Sequence, residues 1–215
     1  MEVSWEQLKK EAQATSRQFT LELMELEYVE DGYSSFVNLI ERALDFAAQD
    51  MSKNKNILID QTEDQLTYAM LAMLRGMSFN ASHSKNNGGN CDIVIESGLS
   101  MTWLGEAKKF TSSYGKLLGG YRQLADRYAT GLPNQLSGGE IIYMYGADAK
   151  TMLDNWRDYL AQQNGINVEH DKDKPLEFRS TQKHQGSGLQ ISIRHTPIVL
   201  HHQPTDTQKA PPRKK

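Results

Sequence analysis

Apolar side chains recur at helical spacing from the start of the chain. Leu8, Ala12, Phe19, Leu23 and Leu26, with Ser16 in the same stripe, follow Ser4, an N-cap with Gln7 three residues later. Glu30-Asp31-Gly32 breaks that helix, and Phe36, Leu39, Ile40, Ala43, Leu44 and Ala47 predict a second over residues 34–51. The two make an N-terminal helical hairpin, residues 1–52, suited to cap the core, to pair with a copy of itself or to dock a partner. Lys53-Asn54-Lys55-Asn56 is a polar joint. Beyond it, Thr62 and Gln65 form a capping box for a helix over 63–75, closed by Gly76, with Leu66, Met70, Met73 and Leu74 facing inward.

The pattern then changes period. Ile93-Val94-Ile95 and Met101-Thr102-Trp103-Leu104 flank Ser97-Gly98-Leu99-Ser100, as two paired strands flank a tight turn. His83 to Asn90 reads as a polar, glycine-rich loop leading into this hairpin. A helix over 117–130 follows, then the compact apolar strand 140–146, central in a sheet because it lacks alternation. Met152, Trp156 and Leu160 stripe a helix over 148–163. Residues 165–175 read as a charged loop, and 176–181 and 189–202 as late strands turning at Gly186-Ser187-Gly188. The fold class is α/β: a mixed central sheet flanked by helices over residues 56–204, with 205–215 a disordered basic tail.

Composition narrows the function. With 215 residues, 38% of them hydrophobic, the chain can bury one sizeable core. A formal net charge of -3 means that a nucleic-acid surface has to be a local patch. One cysteine excludes an internal disulfide framework and suits a reducing cytoplasm. No signal peptide opens the chain and no apolar run reaches membrane-spanning length, so no membrane partner is expected. His184, His195, His201 and His202 lack the cysteine-and-histidine spacing of a zinc site.

Candidate chemistry gathers at the end of the hairpin. Asp92 opens its first strand, and Glu106 and Lys108 close the second on one face. Two carboxylates and an ammonium there are costly to bury unless they pair or hold a cation. Mg²⁺, or Mn²⁺, needs only one or two carboxylates beside water and phosphate oxygens, so Asp92 and Glu106 suffice as anchors. Such an ion would polarise a phosphodiester and acidify a bound water, with Lys108 orienting that water or offsetting charge on the phosphorane. The plainer reading is a surface hairpin with a solvated Asp92–Lys108 salt bridge.

Asp92, then Glu106-Ala107-Lys108 after thirteen residues, resembles the motif of the PD-(D/E)xK nucleases, with Cys91 where the family's name has proline. The resemblance implies a restriction-endonuclease-like core and metal-dependent hydrolysis of DNA, with RNA left open. In that family a carboxylate on the preceding helix often joins the metal shell, which here points to Glu63. Gln123, Arg127 and Tyr128 resemble the Gln-x-x-x-Tyr helix of recombination exonucleases, with one extra residue between Gln123 and Tyr128. Gln123 is then a hydrogen-bonding residue beside the metal site, and Arg127 holds a backbone phosphate. Lys109, Lys116 and Arg122 join Arg127 as nucleic-acid contacts, and Arg179, Lys183 and Arg194 extend that edge. The resemblance implies a small bacterial or phage-related nuclease of restriction, repair or defence, the cleaving subunit of a larger complex or a homo-oligomer assembled through its N-terminal helices. The alternative is an inactive nucleic-acid-binding or structural subunit.

Overall fold

Ser4 and Thr62 cap their helices as the sequence predicts. In each capping box the hydroxyl accepts from the backbone three residues on, at 3.2 Å, and the glutamine there returns the bond to the cap. The computed structural model describes residues 4–13, 15–28, 32–84, 89–98, 100–170 and 173–205. Its helices are α1 (Trp5–Ala12), α2 (Arg17–Glu25), α3 (Gly32–Lys53), α4 (Glu63–Gly76), α5 (Tyr114–Arg122) and α6 (Ala149–Ala161). Its strands are β1 (Asn80–Ser84), β2 (Cys91–Ser97), β3 (Met101–Phe110), β4 (Ser137–Met144), β5 (Ile166–Glu169), β6 (Phe178–Lys183) and β7 (Gln190–Val199).

The strands form one mixed seven-stranded sheet in the order β1-β2-β3-β4-β7-β6-β5. The middle strands β3, β4 and β7 run parallel, and antiparallel pairs complete both edges. A parallel centre has to be covered on both faces, which is why β4 is apolar without alternation. On one face Leu39, Ile40 and Ala43 of α3 and Leu66, Met70 and Leu74 of α4 join Trp103, Ile141 and Tyr143. On the other, Leu117 and Tyr121 of α5 and Met152 and Trp156 of α6 pack on Leu104, Ile142 and Ile193. Trp103 fits because Gly105 and Gly139, partners across β3 and β4, leave the space its ring needs; a Cβ at either would lie 2.7 Å from the indole.

Four expectations are revised. The first predicted helix is two, α1 and α2: Gln13 is already extended, and Thr15 turns its hydroxyl onto the Ala12 carbonyl at 2.6 Å, a local bond that competes with helix. The N-terminal segment is therefore a series of three helices rather than a two-helix hairpin, and α3 packs directly into the core. Part of each predicted loop is an edge strand, β1 at His83 and Ser84 and β5 at Ile166–Glu169, formed by pairing with a neighbour rather than by an apolar run. Arg179 and Arg194 are not a DNA-contacting edge. Arg194 is buried and bonds Asp45 at 2.7 Å, Glu177 and the Glu41 carbonyl, while Arg179 pairs with the Glu41 carboxylate, so both clamp α3 to the sheet. The expected tail lies almost wholly outside the described residues, as do 85–88 of the predicted glycine-rich loop. Among the described residues no helix is long and apolar enough to cross a membrane.

Candidate active site

The ladder between β2 and β3 runs from Ser97 paired with Met101 to Ile93 paired with Gly105, and there it stops. Beyond that point the β3 amides facing β2 have no strand to bond. Two side chains take them over: Asp92 Oδ2 accepts from the Ala107 amide at 2.9 Å, and Glu63 Oε2 accepts from the Lys109 amide at 2.6 Å. Asp92 reaches this fork because it is the second residue of β2, and Glu63 because Thr62 starts α4 there. Both amides are thereby satisfied by carboxylates, and Asp92 Oδ2 itself and the other oxygen of Glu63, Oε1, face one spot.

Lys108 fills that spot. Its ammonium lies 2.5 Å from Glu106 Oε1, 3.6 Å from Glu63 Oε1 and 3.7 Å from Asp92 Oδ2, and it also bonds the Ala107 carbonyl at 3.2 Å. Three carboxylates thus share one cation, leaving two negative charges unbalanced when all are ionised. Glu106 is only 2% exposed, and burial, reinforced by the charge of Asp92 and opposed by Lys108, pushes its carboxyl up to about 7. For Lys108 burial acts downward, but the carboxylates, Glu106 foremost, outweigh it and hold the ammonium protonated. The predicted quartet of Glu63, Asp92, Glu106 and Lys108 therefore converges.

Whether these residues suit Mg²⁺ or Mn²⁺ turns on the donor set. Among the described residues no group of three or more His, Cys, Asp or Glu side chains is gathered as a metal cage; the ammonium stands among the carboxylates. Glu106 Oε2, however, is buried with no hydrogen-bond partner. A carboxyl oxygen left bare in the interior is one that a cation would satisfy, and two carboxylates completed by water and phosphate match the habit of Mg²⁺. Asp92 and Glu106 fit the ion on that ground.

The wall behind the site comes from α5 and β4. Gly120 lies against it: a Cβ there would sit 3.1 Å from Lys108 Cγ and Cε and 3.2 Å from Glu106 Cγ. Glu140 of β4 is the cross-strand partner of Glu106 and is fully buried, one oxygen 2.8 Å from His195 Nδ1. His195 also accepts from Trp156 Nε1 at 3.1 Å and meets Ser180 Oγ at 2.7 Å, with Phe178 stacked on its ring. Burial pushes Glu140 up to about 8 and His195 down to about 3, which favours the uncharged pair. Sequence reasoning missed Gly120 and Glu140. A lone acid heading the apolar run of β4 was the available signal for Glu140, but its place beside Glu106 depends on parallel register.

The helix after Arg122 widens into a π-turn over Gln123–Tyr128, and the Ala129 amide reaches back five residues to Leu124 at 3.0 Å. In π geometry residues five apart lie one turn apart, so the extra residue between Gln123 and Tyr128 is absorbed and the two fall on one side. Gln123 is half-buried, three residues on from Gly120. Tyr128 is buried beside the site, close enough for Glu106 to help raise its phenol, after burial itself.

Of the four predicted nucleic-acid cations, Lys116, Arg122 and Arg127 are exposed on this segment. Lys109 is turned away: its ammonium bonds the Gln61 carbonyl at 3.0 Å and lies 4.2 Å over the Tyr145 ring, which pins β3 to the turn before α4. Comparison with protein-family models, with curated proteins and with solved structures finds no match to this chain.

Proposed function

We propose that the chain is a metal-dependent nuclease with a restriction-endonuclease-like core, hydrolysing phosphodiester bonds of DNA. The observation that carries this reading is the fork of β2 and β3, where Asp92, Glu106 and Glu63 surround the Lys108 ammonium and one buried Glu106 oxygen has no partner. Asp92 and Glu106 would hold Mg²⁺ or Mn²⁺, which supplies Lewis acidity and lowers the pKa of a bound water. Lys108 keeps its proton at Nζ and faces the charge that grows on the phosphate, and Glu63 orients Lys108. Gln123 offers an amide beside these groups, while Lys116, Arg122 and Arg127 hold backbone phosphates. In this reading the protein is the cleaving subunit of a bacterial defence, restriction or repair complex, and the N-terminal helices meet a partner or a second copy.

The test is cleavage of plasmid, linear duplex and single-stranded DNA or RNA in Mg²⁺, Mn²⁺ or EDTA, by wild type and Lys108→Ala. We expect metal-dependent cutting that falls on the order of 10²- to 10³-fold in the variant, the usual cost of losing one donor to a developing oxyanion. Cutting that survives EDTA, or that Lys108→Ala leaves intact, would overturn the assignment. The Lys108–Glu106 contact at 2.5 Å favours a second reading, in which the ammonium is a fixed counter-ion and the chain a binding or structural subunit. Nucleic-acid binding with no cleavage in any metal would support that alternative.

A further inference from the structure

Beside the fork lies an aromatic pair that the proposed chemistry does not use. Tyr68 of α4 is 55% exposed, and its ring lies 5.8 Å from that of His83 in β1, tilted by 44°. His83 is fixed in turn, with Nδ1 3.1 Å from the main-chain oxygen of Asp92. A carbonyl only accepts, so the proton sits on Nδ1 and the ring is held in one orientation. The pair is therefore tied to the same residue whose carboxylate closes the fork.

We infer that Tyr68 and His83 form a stacking platform for one unpaired nucleobase next to the scissile phosphate, which makes single-stranded or frayed DNA the preferred substrate. This deepens the nuclease reading and rests on it. Tyr68 projects from another side of α4 than Glu63, about 140° around the helix, and it is His83, bonded to the main chain of Asp92, that brings the pair next to the carboxylates and so to the nucleotide beside the one being cut. Asp64, exposed one turn before Tyr68 on the same side of α4, repels phosphate and turns the base, not the backbone, toward the ring. A base stacked within a duplex has both faces covered by its neighbours. Only an unpaired or terminal base can offer a face to Tyr68.

The test is fluorescence anisotropy with the full chain in EDTA, so that binding is read without cleavage. The probes are a single-stranded oligonucleotide, its duplex, and a set of single strands carrying one abasic position each. We expect Tyr68→Ala to weaken single-strand binding roughly 5- to 150-fold, the range of one base–aromatic stack, with Tyr68→Phe near wild type and duplex binding unchanged. One abasic position should cost wild type a similar factor and cost Tyr68→Ala nothing further. Failure to bind single strands, equal losses on single strand and duplex, or an abasic penalty that persists in Tyr68→Ala would each overturn the platform. Tyr68-dependent binding with no cutting in Mg²⁺ or Mn²⁺ would leave the platform standing and remove the nuclease assignment.

Discussion

Glu106→Gln should make the protein more stable at neutral and alkaline pH, not less. The carboxyl of Glu106 is buried beside Asp92 and Glu140, and it holds its proton up to about 7 against an ordinary value of 4.5. A carboxyl whose pKa is raised by folding binds its proton more tightly in the native chain than in the unfolded one. The penalty is absent below pH 4.5, grows as pH rises through the interval, and is complete above about 7. At about 1.4 kcal/mol per pH unit the interval comes to about 3 kcal/mol, a large share of the roughly 5–15 kcal/mol that holds a domain together. Glutamine keeps the shape and a carbonyl oxygen for Lys108 and cannot ionise, while Asp92 and Glu63 still face the ammonium. The assay is urea denaturation followed by circular dichroism in EDTA at pH 5, 7 and 8.5. Wild type should lose stability over this range relative to Glu106→Gln, with equal m-values. Parallel pH profiles, or a variant less stable than wild type at pH 8.5, would refute the reasoning.

Other substitutions separate the site from its scaffold. Gly120→Ala should lower cleavage on the order of tenfold, because its Cβ presses on Lys108 at 3.1 Å, while stability changes by less than about 1 kcal/mol as helix propensity offsets the crowding; paired cleavage and urea curves check this. Arg194→Met should cost roughly 1–3 kcal/mol by removing the charged hydrogen bonds to Asp45 and Glu177, of which Glu177 keeps Lys174 and Asp45 reaches water, read as a lower urea midpoint. Thr62→Ala should cost about 1 kcal/mol in urea and also slow cleavage, since the lost capping box starts the turn that carries Glu63.

The quartet at the fork was legible in two ways: strand alternation puts Glu106 and Lys108 on one face, while the capping box fixes only the start of α4 and the nuclease resemblance singles out Glu63 on it. The parallel order of β3, β4 and β7 is set by contacts between distant segments, and with it the meeting of Glu106 with Glu140. Arg179 and Arg194 looked like free cations because their partners Glu41 and Asp45 lie far away in sequence on α3. Lys109 misled for the same reason, its partners Gln61 and Tyr145 belonging to other elements. The π-turn left a one-residue spacing mismatch, a trace that local propensity could not turn into geometry. Edge strands β1 and β5 carry too little apolar surface to announce themselves.

The carboxylates that replace β2 at the fork also differ in how much of the fold each contact needs. Asp92 reaches the Ala107 amide across 15 residues, within one hairpin, whereas Glu63 reaches the Lys109 amide across 46. The second contact waits for α4 to dock on the sheet. Slow hydrogen exchange at Ala107 therefore reports a formed hairpin, and slow exchange at Lys109 reports a finished core. The acidic cluster is complete only when both amides are protected, so a nascent or locally opened chain carries the motif in its sequence without the site.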